Sequence, residues 1–165
     1  MRPRPTAHSG GWRLADLSAV AERREAKAEC RLICVPPQMC EQVWPLVRHL
    51  IARAYQQADE PMPDMAEEFR SAHRLLWLAA RDNDILAAAT TSLLQLPSGL
   101  ACKLIACGGD GLEEWRHLLD RIERYARAEG CVQMRIEGRR GWARILRDYQ
   151  VKSVVLTKRL SDGER

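Results

Sequence analysis

The chain has 165 residues, a length that suits one domain with one solid core. Its 26 Lys and Arg are interleaved with 22 Asp and Glu, leaving a net charge of +4; that is the pattern of a solvated surface and not of a nucleic-acid groove. No apolar run is long enough to span a bilayer, and Met1-Arg2-Pro3-Arg4-Pro5 is followed by polar residues where a signal peptide would turn apolar, so a soluble cytoplasmic protein is expected.

In chain order, residues 1–13 carry Pro, Gly, Ser and Arg and read as an arm. Leu14, Leu17, Val20 and Ala21 suggest a helix whose apolar stripe fades by Arg23, and Glu22 to Glu29 is charged all round. Such a helix has little to hold it in an isolated monomer, so residues 1–29 are expected to be peripheral and to order on a protein partner. Cys30 to Val35 is β-compatible and is ended by Pro36-Pro37. Val43, Trp44, Val47, Leu50, Ile51 and Ala54 recur at helical spacing, with Pro45 predicting a kink or restart. Asp64 to His73 reads as a shorter second helix.

A run of strands follows. Leu75 to Ala80, Ile85 to Leu96 and Leu100 to Cys107 are apolar, separated by Asp82-Asn83-Asp84 and Pro97-Ser98-Gly99, and predict an antiparallel meander. Gly108-Gly109-Asp110-Gly111 reads as a glycine-rich turn before a helix from Leu112 to Glu129, with Gly130 as its stop. A glycine loop feeding a helix N-terminus is a candidate phosphate cradle, because free N–H groups and the positive end of the dipole point outward together. Val132, Met134 and Ile136 alternate as a strand, Trp142 to Tyr149 marks a short helix, and Val154 to Leu160 is expected to close the sheet as the last strand. Residues 161–165 are a polar tail.

The six cysteines (Cys30, Cys34, Cys40, Cys102, Cys107 and Cys131) form no C-x-x-C pair and have no His at ligand spacing, so they are expected to be free thiols with no metal. The nearest approach to a basic cluster is Arg135, Arg139, Arg140, Arg144 and Arg147, diluted by Glu137 and Asp148; nucleic acid is not expected as a partner.

The predicted order β-α-α-β-β-β-α-β-α-β, an α/β mixed sheet flanked by helices, resembles the GNAT superfamily of acyl-CoA N-acyltransferases over residues 30–160. The text Glu137-Gly138-Arg139-Arg140-Gly141-Trp142-Ala143-Arg144-Ile145-Leu146 resembles GNAT-like proteins of bacteriophages and prophages. So does Gly108-Gly109 with Glu114-Trp115 ahead of Ala126-Arg127-Ala128-Glu129-Gly130-Cys131.

The resemblance implies acetyl-CoA as cofactor, with its pyrophosphate on the backbone of Cys107, Gly108, Gly109, Asp110, Gly111 and Leu112. The leading Arg or Gln of the family loop is not in register, and Asp110 puts a negative charge there. At roughly 4 Å and an effective dielectric near 20 that costs on the order of 4 kcal/mol, unless Asp110 turns away to cap the helix.

The family's general-acid Tyr is replaced by Leu146, with Tyr149 nearly one helical turn on as substitute. Ile85 to Cys107 holds no carboxylate, so Glu137 at the end of the fifth strand is the candidate base, with Glu67 and Glu68 as further candidates. His73 and His117 read as solvated.

Two functions follow from this reading. One is a GNAT-like domain with degenerate motifs serving a phage virion or its assembly, with no cofactor and an oligomeric state left open. The other is an acetyl-CoA-dependent N-acetyltransferase.

Overall fold

The computed structural model describes residues 29–138 and 141–158. The expected arm, the helix begun by Leu14 and the polar tail lie outside the described residues. β1 (Arg31–Val35) leads into α1 (Pro37–Ala58), opened by Pro37 at its first turn, and then α2 (Met65–Arg70). The meander follows as β2 (Leu75–Arg81), β3 (Asp84–Leu96) and β4 (Gly99–Gly109). Next come α3 (Leu112–Trp115), a 3-10 turn (Arg116–Leu118), α4 (Leu119–Ala128), β5 (Gln133–Ile136) and α5 (Gly141–Ile145).

The sheet order is β1-β2-β3-β4-β5. The first three pairings are antiparallel and β4–β5 is parallel. Alternation along the strands splits the core between two faces. Leu76, Leu78, Ala88 and Ala106 meet Val47, Leu50 and Ile51 of α1. Trp77, Ala89, Cys102 and Leu104 meet Leu119, Ile122 and Ala126 of α4. Trp77 also donates from Nε1 to the buried Thr91 hydroxyl at 2.9 Å, which satisfies both polar groups inside the core.

Several expectations are corrected. α1 does not restart at Pro45. Pro45 and Glu41, whose carbonyl loses its helical donor, are both exposed, so water can take the bond's place. α2 is shorter than expected; Asp64 caps it, its Oδ1 accepting from Ala66 N at 3.0 Å and Glu67 N at 3.3 Å. The long helix is broken after its first turn. Trp115 is buried with φ −123, and its indole turns back to donate to Asp110 O at 3.0 Å, which sets α3 off from α4. Gly130 ends α4 as expected, in the left-handed region at φ 77, with Cys131 N donating to Ala126 O at 2.9 Å.

The largest correction is the last strand. Residues 151–158, which cover the described part of the expected Val154 to Leu160 strand, have no regular structure and are exposed throughout. β5 is therefore the edge of the sheet among the described residues.

Candidate functional site

The glycine turn divides into two parts. Gly108 and Gly109 belong to β4, paired with Ala88 and Ala87, and are not loop residues. A Cβ on Gly108 would lie 2.0 Å from Leu50 O of α1, and one on Gly109 would lie 2.4 Å from Ala87 Cβ and 2.5 Å from Leu86 O. Both glycines are thus demanded by close packing of backbone.

Only Asp110 and Gly111 form the turn itself, and Leu112 opens α3. The residue that precedes α3 is Gly111, at φ 65, with no side-chain cap; Asp110 does not cap the helix. Its carboxylate turns to α1 instead, with Oδ1 3.6 Å from Arg53 Nη1. Glu113 pairs with Arg116 at 3.1 Å, and Glu114 pairs with Arg81 of β2. Each carboxylate at this helix start is thus matched by an arginine of the same chain. Leu112 is half-buried against the Trp115 group, and Cys107 is a neutral thiol, its pKa pushed up to about 12 by burial. An incoming diphosphate would meet carboxylates and compete for their arginines, so the turn would hold that group less tightly than an open glycine loop does.

The strand edge beside the turn is different. β4 pairs with β5 only from Ala101↔Gln133 to Leu104↔Ile136, and then continues to Gly109 without a β5 partner. One extra β4 residue, Ile105, bulges at the point of departure, between the Thr91↔Leu104 and Thr90↔Ala106 pairs. The splay is therefore between the fourth and fifth strands. Trp142 of α5 packs on Gly138, where a Cβ would lie 2.9 Å from its ring. It also packs against the apolar groups that hold Leu104 and Trp115. Between α4 and α5 a groove of about 700 Å³ is lined by Arg116, Asp120, Glu123, Arg144, Leu146 and Tyr149, among others. Past Leu104 that edge of β4 has no strand partner among the described residues, and an extended amide-bearing chain can pair with such an edge as an added strand does.

Of the two catalytic candidates, Glu137 stands by the wedge and Tyr149 on the groove wall, and they are not joined to each other. Tyr149 donates from its hydroxyl to Glu123 Oε1 of α4 at 2.7 Å. Burial first, then that bond and the Glu123 charge, push its pKa well above the usual tyrosine range. Its proton is held, not offered. Glu137 follows β5 at the mouth of the wedge and pairs with Lys103 Nζ at 2.8 Å. Glu67 pairs with Arg70, and Glu68 with Arg74 Nε at 2.7 Å, while Arg74 also donates to Tyr55. His73 shares a 3.1 Å bond with Ser71, and His117 is exposed.

Sequence reasoning missed a second cavity, of about 530 Å³, on the opposite flank of α4, bordered by Glu68, His73, Leu75, Thr91 and Tyr125. The signal was available. Trp77 alternates with Leu76 and Leu78, which puts its indole on the α4 face beside Tyr125; the rings meet edge-on at 5.3 Å. Burial pushes the Tyr125 pKa up to about 12. Of the arginine cluster, Arg139 and Arg140 lie outside the described residues, and Arg144 and Arg147 line the groove with Glu113, Asp120, Glu123 and Asp148. The six cysteines are free, and no metal-binding group of three occurs among the described residues. No described helix is long and apolar enough to cross a membrane.

No family model and no curated protein matches the chain. Solved structures do. An aminoglycoside acetyltransferase from an uncultured soil metagenomic sample, in complex with sisomicin, has a TM-score of 0.61 at 9% identity, covering 80% of this chain and 97% of that one. A predicted acetyltransferase with acetyl-CoA from Clostridium acetobutylicum has 0.55 at 13%, covering 80% and 96%. A GNAT family acetyltransferase from Staphylococcus aureus has 0.51 at 14%, covering 80% and 99%. The fold is the GNAT acetyltransferase fold. At these identities the likeness is one of fold, and function has to be argued from the site.

Proposed function

We propose that this GNAT-fold chain is an N-acyltransferase that takes its acyl group from a pantetheine thioester. The observation that carries the reading is the wedge: β4 leaves β5 at Leu104↔Ile136, bulges at Ile105 and runs on to Gly109 with no strand partner on that edge among the described residues. Acetyl-CoA supplies an activated acyl group when bound. On this chain, the backbone of residues 105–109 would hold the arm, and Arg116 and Arg144 would offer charge along the groove. Glu137, at the mouth, is the group placed to accept an amine proton once Lys103 releases it. Tyr149 is the hydroxyl on the groove wall. The acidic turn predicts weaker nucleotide binding than an open glycine loop would give.

A second reading rests on that same turn. Its carboxylates are matched by Arg53, Arg81 and Arg116, and its strand glycines serve packing, which favours a fold kept as a scaffold. The scaffold would be a binding or assembly module, of a phage particle in the resemblance drawn from the sequence, joined to its partner through residues 1–29. Deleting residues 1–29 would then abolish association while the domain stays folded.

Calorimetric titration with acetyl-CoA separates the readings. Micromolar binding, weakened at least tenfold in Gly111→Asp, supports the transferase and sinks the scaffold. No heat at millimolar ligand sinks the transferase. Gly111 is the position to change, because a Cβ there meets nothing closer than 3.6 Å and Asp tolerates its left-handed backbone. A substitution at Gly109 would strike backbone and report on folding instead.

A further inference from the structure

We propose that the open outer edge of β5 receives residues 151–158 of a second copy of this chain, so that two protomers exchange their last segments. The donor is in plain view. Val151-Lys152-Ser153-Val154-Val155-Leu156-Thr157-Lys158 is rich in strand-forming residues, yet it pairs with nothing described. Val154, Val155 and Leu156 are 63%, 88% and 89% exposed, the largest run of exposed apolar side chains among the described residues. A run of this kind marks an interaction surface.

The acceptor is on the same chain. β5 ends the sheet, and its outer edge has backbone groups with no strand partner among the described residues. Met134 and Ile136 share the face that packs toward α4. Val154 and Leu156 have the same two-residue spacing and would extend that row, while Lys152 and Lys158 bracket them. An eight-residue strand spans roughly 26 Å, ample for the four residues of β5.

A second copy is the occupant for two reasons. The chain is fastened immediately before the segment: Tyr149 N donates to Leu146 O at 3.1 Å and its hydroxyl to Glu123 at 2.7 Å. From that fixed exit residues 151–158 leave exposed, not laid along their own β5. A foreign strand on β5 would leave this chain's own segment uncovered. Reciprocal exchange covers both edges and both segments and closes with two-fold symmetry.

Sedimentation and light scattering on the full chain test this, with hydrogen exchange as a second readout. The expected result is a species of twice the protomer mass, with slow amides at residues 133–136. The double variant Val154→Asp, Leu156→Asp should be monomeric, with unchanged circular dichroism and at least tenfold faster exchange at those amides. Both side chains are exposed in the protomer, so the variant should fold. A wild-type monomer at every concentration overturns the proposal, whether its β5 amides are fast or are protected by its own returning segment. A dimer that survives the double substitution overturns it equally. These outcomes do not depend on whether acetyl-CoA binds.

Discussion

The face of the sheet under α1 and the flank around β5 are built to different standards. Under α1, Val47, Ile51 and Leu76 are fully buried, and β4 comes so close that only glycine fits at position 108. At the other end, β5 has no fully buried residue and neither has α5. The first region supplies stability. The second carries the wedge, the groove and the uncovered edge. Binding surfaces are drawn from the less tightly packed part of a fold, and here that part is contiguous.

The sharpest way to break this contrast is Gly108→Ala. The new methyl would sit 2.0 Å from the Leu50 carbonyl oxygen, which is backbone and cannot swing aside. A loss of about 3 kcal/mol or more is expected, at the top of the overpacking range, with failure to accumulate folded protein as the extreme. Urea denaturation followed by circular dichroism measures it. An unchanged midpoint would mean that α1 does not approach β4 as described.

A paired truncation compares the two regions directly. Ile51→Ala removes a fully buried side chain and should cost about 2–5 kcal/mol. Met134→Ala removes a half-buried one at the sheet edge and should cost roughly 1 kcal/mol, since less area leaves water on folding. Equal losses would show that the β5 flank is as firmly packed as the α1 face. If residues 151–158 of a second chain cover β5, the Met134→Ala loss should grow with protein concentration.

The same division governs what could be read from the sequence. β2 and β3 were legible because an apolar run and the Asp82-Asn83-Asp84 turn are local; Asp82 indeed takes the left-handed backbone, at φ 51. Gly108 and Gly109 were misread as loop because a glycine in a strand and a glycine in a turn look alike in one dimension. What distinguishes them is Leu50, more than fifty positions earlier in the chain. The break at Trp115 was hidden for a similar reason, since it depends on an indole reaching back to a carbonyl. Val154 to Leu156 has strand chemistry, and composition says what such a segment can do, not which edge it finds. At the site, Glu137 and Tyr149 were found as residues, but their engagement by Lys103 and Glu123 was not, because long-range partners leave no trace in spacing.

The smallest effect tests whether the groove's one phenol is locked or free. Tyr149→Phe removes the hydroxyl that bonds Glu123 and should cost about 0.5–1.5 kcal/mol at neutral pH. The cost should depend on pH with a definite sign. The folded pKa of Tyr149 lies above the unfolded value of about 10, so folding favours the protonated phenol. The stability it contributes is fully present below about pH 10 and is lost as pH rises toward the folded pKa, because the unfolded chain releases this proton first. Every other side chain is common to both proteins and cancels in the difference. The gap between wild type and Tyr149→Phe should therefore be flat from neutrality to about pH 9 and shrink above about pH 10. A gap that stays constant into alkali would mean that the hydroxyl is not held by Glu123. The phenol would then be free to protonate a leaving group in the groove, and the open flank would be better equipped for chemistry than its ground-state contacts suggest.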